Sequence, residues 1–167
     1  MHNRTYKRSD IILLSKLRND ARTTLTKLSK NTRIPISTVF DKIRSFENDF
    51  VTKYTSLIDF TKFGFYARAN VILKIGKKHL DNVRDYLAKH PNVNTLYKIN
   101  NGFDYQVELV FRDMQGLETF LWNLNTKFTI KQYIVYYIID EIKKESFLTS
   151  KETIEMIAPE IKGQALM

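Results

Sequence analysis

The spacing of apolar residues changes once along the chain, near residue 50, and this change constrains the fold more than any other feature. Before it, Leu13, Leu14 and Leu17 recur at the spacing of one helical face. After it, apolar residues alternate with mostly polar ones along a predicted strand: Phe65, Ala67, Ala69, Val71, Leu73 and Ile75. We therefore expect a helical unit at the N-terminus, followed by a unit built around a sheet.

Three helices are predicted before the change. Ser9 is placed to cap the first helix, with Asp10 in its first turn, and Thr24 can cap a short second helix. Pro35 interrupts the chain after it, and Ser37 is placed as the N-cap of a third helix. The third helix has a narrow apolar stripe formed by Val39, Ile43 and Phe46. A short helix, a tight turn and a further helix are typical of a helix-turn-helix domain.

The face of the third helix that lies away from this stripe carries hydroxyls, an aromatic ring and two cations. Its residues are Ser37, Thr38, Phe40, Asp41, Lys42, Arg44 and Ser45. Such a face suits a recognition helix in the major groove, because these side chains can contact base edges and phosphates. An ordinary three-helix bundle with a solvated face has the same pattern, so these residues alone leave both interpretations open.

The formal net charge of +9 indicates a polyanionic partner, either nucleic acid or an acidic membrane surface. Residues 1–62 hold 13 Lys and Arg against 6 Asp and Glu, while residues 63–145 hold 12 against 9. An AT-rich genome also enriches lysine, but it does so evenly, so the distribution favours an N-terminal unit that binds double-stranded DNA. Phosphate contacts are expected from the cations of the third helix and from Arg22, Lys27, Arg4, Lys7 and Arg8.

Composition argues against several other classes of protein. The chain has no Cys and 3 His, which excludes disulfides and thiolate zinc sites and leaves no expectation of a metal. No paired acid, base or nucleophile motif is present, so we expect neither catalysis nor a cofactor. The longest apolar run, residues 133–139, is too short to span a bilayer, and the basic N-terminus lacks an apolar signal region. We therefore expect a cytoplasmic protein without a membrane partner.

The elements after the first strand follow from the same patterns. They are a helix ending before Pro91, a strand over 93–99, a turn at 100–102, a strand over 103–111, a helix capped by Asp113 and a strand over 130–139. The order strand, helix, strand, strand, helix, strand predicts a ferredoxin-like βαββαβ sandwich of the α+β class. Both helices then lie on one face of an antiparallel sheet.

The other face of that sheet is left bare. The last strand is apolar on both sides, which is too much apolar surface to leave in contact with water. A second subunit is therefore expected to cover the bare face through Tyr133, Val135, Tyr137 and Ile139. The alternative is that the C-terminal tail, residues 146–167, folds back over it.

The N-terminal helices also carry a spaced motif. It reads Asp10-x-x-Leu13-Leu14-x-x-Leu17-x-x-Asp20-Ala21-Arg22, Leu25-x-x-Leu28, Thr32-Arg33-Ile34-Pro35-Ile36-Ser37-Thr38-Val39 and Ile43-Arg44-x-Phe46-Glu47. With it, residues 9–142 resemble the Lrp/AsnC family of bacterial and archaeal transcriptional regulators, and residues 53–59 with Phe63-Gly64 resemble the family's linker strand. The resemblance implies a sequence-specific DNA-binding regulator that forms a homodimer, tetramer or octamer and responds to a small effector such as an amino acid.

The expected organisation combines the residue patterns with this resemblance. It consists of a winged-helix-like helix-turn-helix domain over 1–52, a linker strand or hinge over 53–64, a dimerisation and effector-sensing domain over 65–145, and a tail of unknown role over 146–167.

Three residues depart from the family's pattern. Arg33 stands where the family has a turn glycine, and a non-glycine residue there must avoid positive φ or accept strain of about 1 kcal/mol. Phe50 stands where a glycine ends the recognition helix, and Asn101 replaces a glycine of the effector loop. The resemblance places an effector at Asn101, Gly102 and Asp104, with Asp104 holding an ammonium group. The alternative is that this segment is simply the turn that joins two strands.

Two other functions fit parts of the sequence. A non-catalytic metabolite-binding protein would use the ferredoxin-like sandwich and keep the helices as a structural appendage. An RNA-binding protein would stack bases on a four-stranded sheet, but the aromatic strand signature with adjacent Lys, Arg and Gly is absent.

Overall fold

The computed structural model describes residues 6–158, and Arg4 of the predicted basic arm lies outside the described residues. The chain divides into two compact units, one made of the described parts of residues 1–56 and 143–167 and the other of residues 57–142. It therefore passes between the units twice, after Ser56 and after Ile142. The described part of the C-terminal tail belongs to the first unit.

The helices and strands of the described residues are, in chain order, α1 (Arg8–Asn19), α2 (Leu25–Thr32), α3 (Ile36–Asp49), β1 (Ala67–Ile75), α4 (Leu80–Lys89), β2 (Val93–Lys98), β3 (Tyr105–Phe111), α5 (Met114–Lys127), β4 (Ile130–Tyr137) and α6 (Lys151–Ile157). Short 3₁₀ turns lie at Phe60–Phe63 and Lys77–His79. The first unit contains α1, α2, α3 and α6, and the second contains the four strands with α4 and α5.

The first three helices pack around one apolar cluster, because each presents apolar residues at helical spacing. The buried members are Leu13, Leu17, Leu28, Val39 and Phe46. The predicted helix-turn-helix is confirmed: α2 and α3 pack on one another and on α1 through this cluster.

Two of the predicted N-caps of these helices are wrong, and one is confirmed. Thr24 caps α2, since its side chain accepts a hydrogen bond from the Lys27 backbone N–H at 3.2 Å. Ser9 does not cap α1, because the helix begins at Arg8 with Lys7 as its N-cap, and the Asp10 side chain accepts from the Lys7 N–H. Ser37 lies inside α3, because the helix begins at Ile36 and its N-cap is Pro35. We therefore expect Ser37→Ala to cost far less than the ~1 kcal/mol typical of a lost cap.

Phe50 ends α3 without the left-handed backbone that a glycine would supply, since its φ is −122°. Its ring contacts Phe46 and Tyr6, with centroid distances of 5.7 and 4.8 Å. At the position where the family has a glycine, this chain therefore has an aromatic residue that packs on two other rings at the end of α3.

Arg33 ends α2 in the left-handed region, at φ 56° and ψ 28°. Arg33→Gly is expected to stabilise the helical unit by about 1 kcal/mol, because glycine adopts this conformation without strain. Urea unfolding followed by circular dichroism measures the change. Lys30→Gly, inside α2, is the control and is expected to destabilise by a similar amount. A loss of stability in Arg33→Gly would show that the turn is not strained.

The second unit is the predicted ferredoxin-like sandwich, with strand order β2-β3-β1-β4 and antiparallel pairing throughout. Its core lies between one sheet face and α4 and α5. The fully buried members are Ala69, Val71, Leu73, Val83, Leu87, Val107, Leu109 and Leu117. Asp113 caps α5 as predicted, since its side chain accepts from the Gly116 N–H at 2.8 Å.

The linker strand expected over residues 53–59 does not form in the described chain, where these residues are exposed and have no regular secondary structure. The strands of the sheet pair with one another and not with this segment. An extended segment without a ladder partner leaves its N–H and C=O groups to water, so no strand results.

The pairing of β4 also corrects the predicted subunit interface. The opposed pairs on one face are Ala69–Tyr137, Val71–Val135 and Leu73–Tyr133. Opposed residues share a face, and the β1 members are fully buried against α4 and α5. Tyr133, Val135 and Tyr137 therefore lie on the helix-covered face. Ile139 follows the end of β4 and is 99% exposed.

The bare face carries the alternate residues of the same strands. Ile72 lies opposite Ile134, and Asn70 lies opposite Tyr136. Tyr136 is 54% exposed. Any partner of the bare face would therefore meet Ile134 and Tyr136 of β4.

Candidate nucleic-acid interface and effector loop

The outward side of α3 presents most of the residues predicted for DNA contact. Ser37, Thr38, Phe40, Asp41, Arg44 and Ser45 are all exposed. They face outward because Val39 and Phe46 turn into the core. The guanidinium of Arg44 lies over the ring of Phe40, 5.7 Å from its centroid. This side of α3 offers hydroxyls, a carboxylate, an aromatic ring and a cation, which are groups that can meet base edges and phosphates.

Lys42 does not share the exposed side of α3, so its predicted role in DNA contact is wrong. Its ammonium group forms an ion pair with Asp10 of α1, and its side chain is 25% exposed. Position 42 is one turn after Val39 and one turn before Phe46, so it borders the buried stripe. Lys42 therefore ties α3 to α1, and this spacing was a signal available in the sequence.

The other predicted phosphate contacts differ in their surroundings. The exposed cations are Lys7, Arg22 and Lys27. Arg8 is partly buried, and its Nη1 donates to the backbone oxygen of Ala158 at 3.1 Å. Lys30 of α2 and Arg33 in the turn before α3 are exposed as well. Neither was named as a phosphate contact from the sequence, although both lie close to the third helix in the chain order.

The loop between β2 and β3 is a tight turn. Asn101 and Gly102 have φ values of 61° and 86°, as the two central residues of a type I′ hairpin turn require. The Ile99 N–H donates to the Asp104 carbonyl at 2.9 Å and closes the hairpin. Both central residues are exposed, and a Cβ added at Gly102 would meet nothing within 4 Å. The predicted turn is confirmed, and the room beside Gly102 is open.

Asp104 is tied into the sheet. Its Oδ2 accepts from the Ile75 N–H at 2.7 Å, and its own N–H donates to the Leu73 carbonyl at 2.8 Å. These bonds anchor the hairpin to β1. The Asp104 carboxylate therefore stabilises the attachment of the hairpin to β1 independently of any ligand.

A polar cluster lies on the bare face of the sheet around Glu108. Its carboxylate accepts from Arg68 at 2.8 Å, from Asn94 at 2.7 Å and from Thr95 at 3.1 Å. Burial alone would raise the pKa of Glu108, but these hydrogen bonds and the Arg68 charge outweigh burial and lower the pKa. Arg68 also pairs with Glu141 at 2.8 Å. The cluster therefore holds charged groups on a face that is otherwise partly apolar.

The stability of the second unit is expected to fall in acid because of Glu108. The pKa of Glu108 is lower in the folded protein than in the unfolded chain, where a Glu titrates at about 4.3. Its contribution to stability is therefore complete above about pH 4.3 and is lost as the pH falls through the folded pKa. The fluorescence of Trp122 in α5 can follow unfolding in urea at each pH. Glu108→Gln should flatten this acid dependence, and an unchanged slope would contradict the assignment.

The described residues contain neither a cluster of metal ligands nor a helix that could span a membrane. Within residues 6–158, no three His, Asp or Glu side chains gather in a way that could hold a metal ion. Over the same range, no helix combines the length and the apolar character needed to cross a membrane.

Residues 68–147 match the Lrp/AsnC ligand binding domain. The HTH-type transcriptional regulator FL11 of Pyrococcus horikoshii is 28% identical over 106 residues, which cover 63% of this chain and 70% of that protein. The glutamate uptake regulatory protein of Zymomonas mobilis is 24% identical over 148 residues, which cover 86% of this chain and 90% of that protein.

Solved structures share the fold. A transcriptional regulator of Neisseria meningitidis, solved as its L-Met complex, matches with a TM-score of 0.78 at 20% identity, over 84% of this chain and 94% of that one. AsnC of E. coli matches with a TM-score of 0.75 at 14% identity, over 84% and 97%.

The chain joins a helix-turn-helix unit to a ferredoxin-like unit and is a DNA-binding transcriptional regulator, as its curated relative FL11, an HTH-type transcriptional regulator, is. Most of its second unit matches the Lrp/AsnC ligand binding domain, the family that the sequence resembles. The resemblance drawn from the sequence is thereby confirmed.

Proposed function

We propose that this regulator binds a specific DNA operator through the outward side of α3. The observation that carries the proposal is the exposure of Thr38, Asp41 and Arg44 on one side of α3. We propose further that the protein acts in the cytoplasm and catalyses no reaction, in keeping with relatives that are transcriptional regulators.

Arg44→Ala is expected to lower affinity for the operator by roughly tenfold or more, because a cation that meets a base or a phosphate contributes about 1–3 kcal/mol. Fluorescence anisotropy on a fragment retained by the wild-type protein measures the change. Lys16→Ala is the matched control, since Lys16 is an exposed cation of α1 and its loss alters net charge equally. Equal losses in the two variants would place the DNA somewhere other than α3.

The proposed assembly is a dimer, or a higher oligomer, in which a second copy covers the bare face of the sheet. The residues that support it are the apolar pair Ile72 and Ile134 and the half-exposed Tyr136, which lie on that face without a helix above them. Apolar surface of this kind on a regulator is typical of a subunit interface.

The proposed effector site is the hairpin turn at Asn101 and Gly102 together with Asp104. The solved complex of the Neisseria meningitidis regulator with L-Met motivates an amino acid as the ligand. The open room beside Gly102 supports close backbone approach, and the Asp104 carboxylate keeps one oxygen for an ammonium group. We propose that occupancy changes the assembly of dimers before it changes DNA affinity.

Thermal shift and sedimentation across the twenty amino acids test the effector site. At least one amino acid is expected to stabilise the protein or to change its assembly, and Gly102→Val should abolish that response. If no amino acid does either, the protein is controlled by its own concentration, and the three loop residues have no effector role.

A further inference from the structure

α1 is buried on two opposite sides, and the helix-turn-helix core accounts for only one of them. Leu13 and Leu17 enter the core shared with α2 and α3. Ile11 and Ser15 lie on the opposite side of the same helix, as a helical repeat of 3.6 residues requires. They are nevertheless 6% and 2% exposed. Some element other than α2 and α3 therefore covers this second side.

That element is the C-terminal segment, whose helix α6 packs on α1. Three polar contacts join the segment to α1: Arg8 Nη1 to the Ala158 oxygen at 3.1 Å, Asn19 Nδ2 to the Thr149 oxygen at 3.0 Å, and the ion pair of Arg18 with Glu145. Arg8 and Asn19 are the first and last residues of α1. The segment therefore follows α1 along its whole length.

The backbone of the C-terminal segment has two residues in the left-handed conformation. Glu145 and Leu148 have φ values of 50° and 65°, a left-handed conformation that non-glycine residues hold only when surrounding contacts compensate for the strain. Ser150 then caps α6 by accepting from the Thr153 N–H. On α6, Ile154 is half-buried whereas Met156 is 74% exposed, so the helix has one side toward α1.

We propose that residues 143–158 form a strap that holds α1 in place, and that the DNA-binding unit needs this strap for full affinity. The strap follows β4 directly in the chain, after the second crossing between the units at Ile142. It thus gives the effector-sensing unit a covalent connection to α1 besides the segment that follows α3. The effect on DNA rests on the proposed function, whereas the effect on α1 does not.

The experiment compares Ile154→Asp with Met156→Asp in the full chain. Both variants place the same charge on α6, one on the side toward α1 and one on the exposed side. Hydrogen exchange measures the opening of α1, and anisotropy on a genomic fragment retained by the wild-type protein measures DNA affinity. Trp122 is the single tryptophan of the chain and lies in the second unit, so its fluorescence reports whether that unit stays folded.

Ile154→Asp is expected to speed exchange of the α1 amides by roughly tenfold or more and to weaken DNA binding by a similar factor, with Trp122 emission unchanged. Met156→Asp should change neither. Equal exchange in the two variants would overturn the strap, and faster exchange with unaltered DNA binding would overturn its role in affinity. If Ile154→Asp unfolds the protein, Ile154→Ala and Met156→Ala decide by the same comparison. A wild-type protein that retains no DNA would refute the proposed function alone, since exchange still tests the strap.

Discussion

The affinity of the protein for its operator is expected to fall ~10³-fold or more between about 50 and 200 mM salt. The reason is that a dimer making ~6 to 10 phosphate contacts releases that many counterions, and added salt opposes their release. The exposed cations Lys7, Arg22, Lys27 and Arg44 are expected to supply such contacts on each subunit. Anisotropy titrations at four or five salt concentrations give the slope of affinity against salt.

Two variants calibrate that slope. Arg22→Ala removes an exposed cation of the DNA-binding unit and should make the slope shallower by roughly one contact per subunit. Lys89→Ala removes an exposed cation of the second unit and should leave it unchanged. An affinity for DNA that does not change with salt concentration would contradict the electrostatic basis of the proposed DNA binding.

Tyr136→Asp is expected to raise the dissociation constant of the proposed dimer by ~30-fold or more. A tyrosine at the centre of an interface typically contributes 2 kcal/mol or more, and the substitution also buries a charge against an apolar partner surface. Analytical ultracentrifugation over a dilution series measures the constant.

Tyr133→Asp is the matched control for this substitution. Tyr133 and Tyr136 belong to the same strand and are 43% and 54% exposed, but they lie on opposite faces of the sheet. The control should therefore leave the dimer intact. If Tyr133→Asp dissociates the dimer and Tyr136→Asp does not, the subunits meet at another surface and the correction to the interface fails.

The fold was accessible from the sequence because its signals are local. The change from helical spacing to strict alternation separates the two units, and Thr24 and Asp113 mark helix starts with side chains that cap them. Asn101-Gly102 marks the hairpin, since asparagine and glycine tolerate the positive φ that the turn requires. These features depend on neighbours within a few residues, so the sequence displays them directly.

The features that escaped prediction depend on pairing between distant segments. β4 is apolar on both sides, so alternation could not say which face meets the helices, and only its register with β1 decides this. Lys42 was counted among the DNA contacts, but its partner is Asp10 on another helix. The return of the tail onto α1 likewise rests on contacts such as Asn19 with Thr149, which are far apart in the chain.

A footprint of the protein bound to genomic fragments tests whether the outward side of α3 reads a specific DNA sequence, as we propose. We expect a protected site with two related half-sites about one helical turn apart, since the proposed symmetric dimer presents two α3 helices. Arg44→Ala should weaken protection in both half-sites while Lys16→Ala leaves it in place. Uniform protection without preferred sites, or protection that is unchanged in Arg44→Ala, would contradict sequence-specific binding through α3.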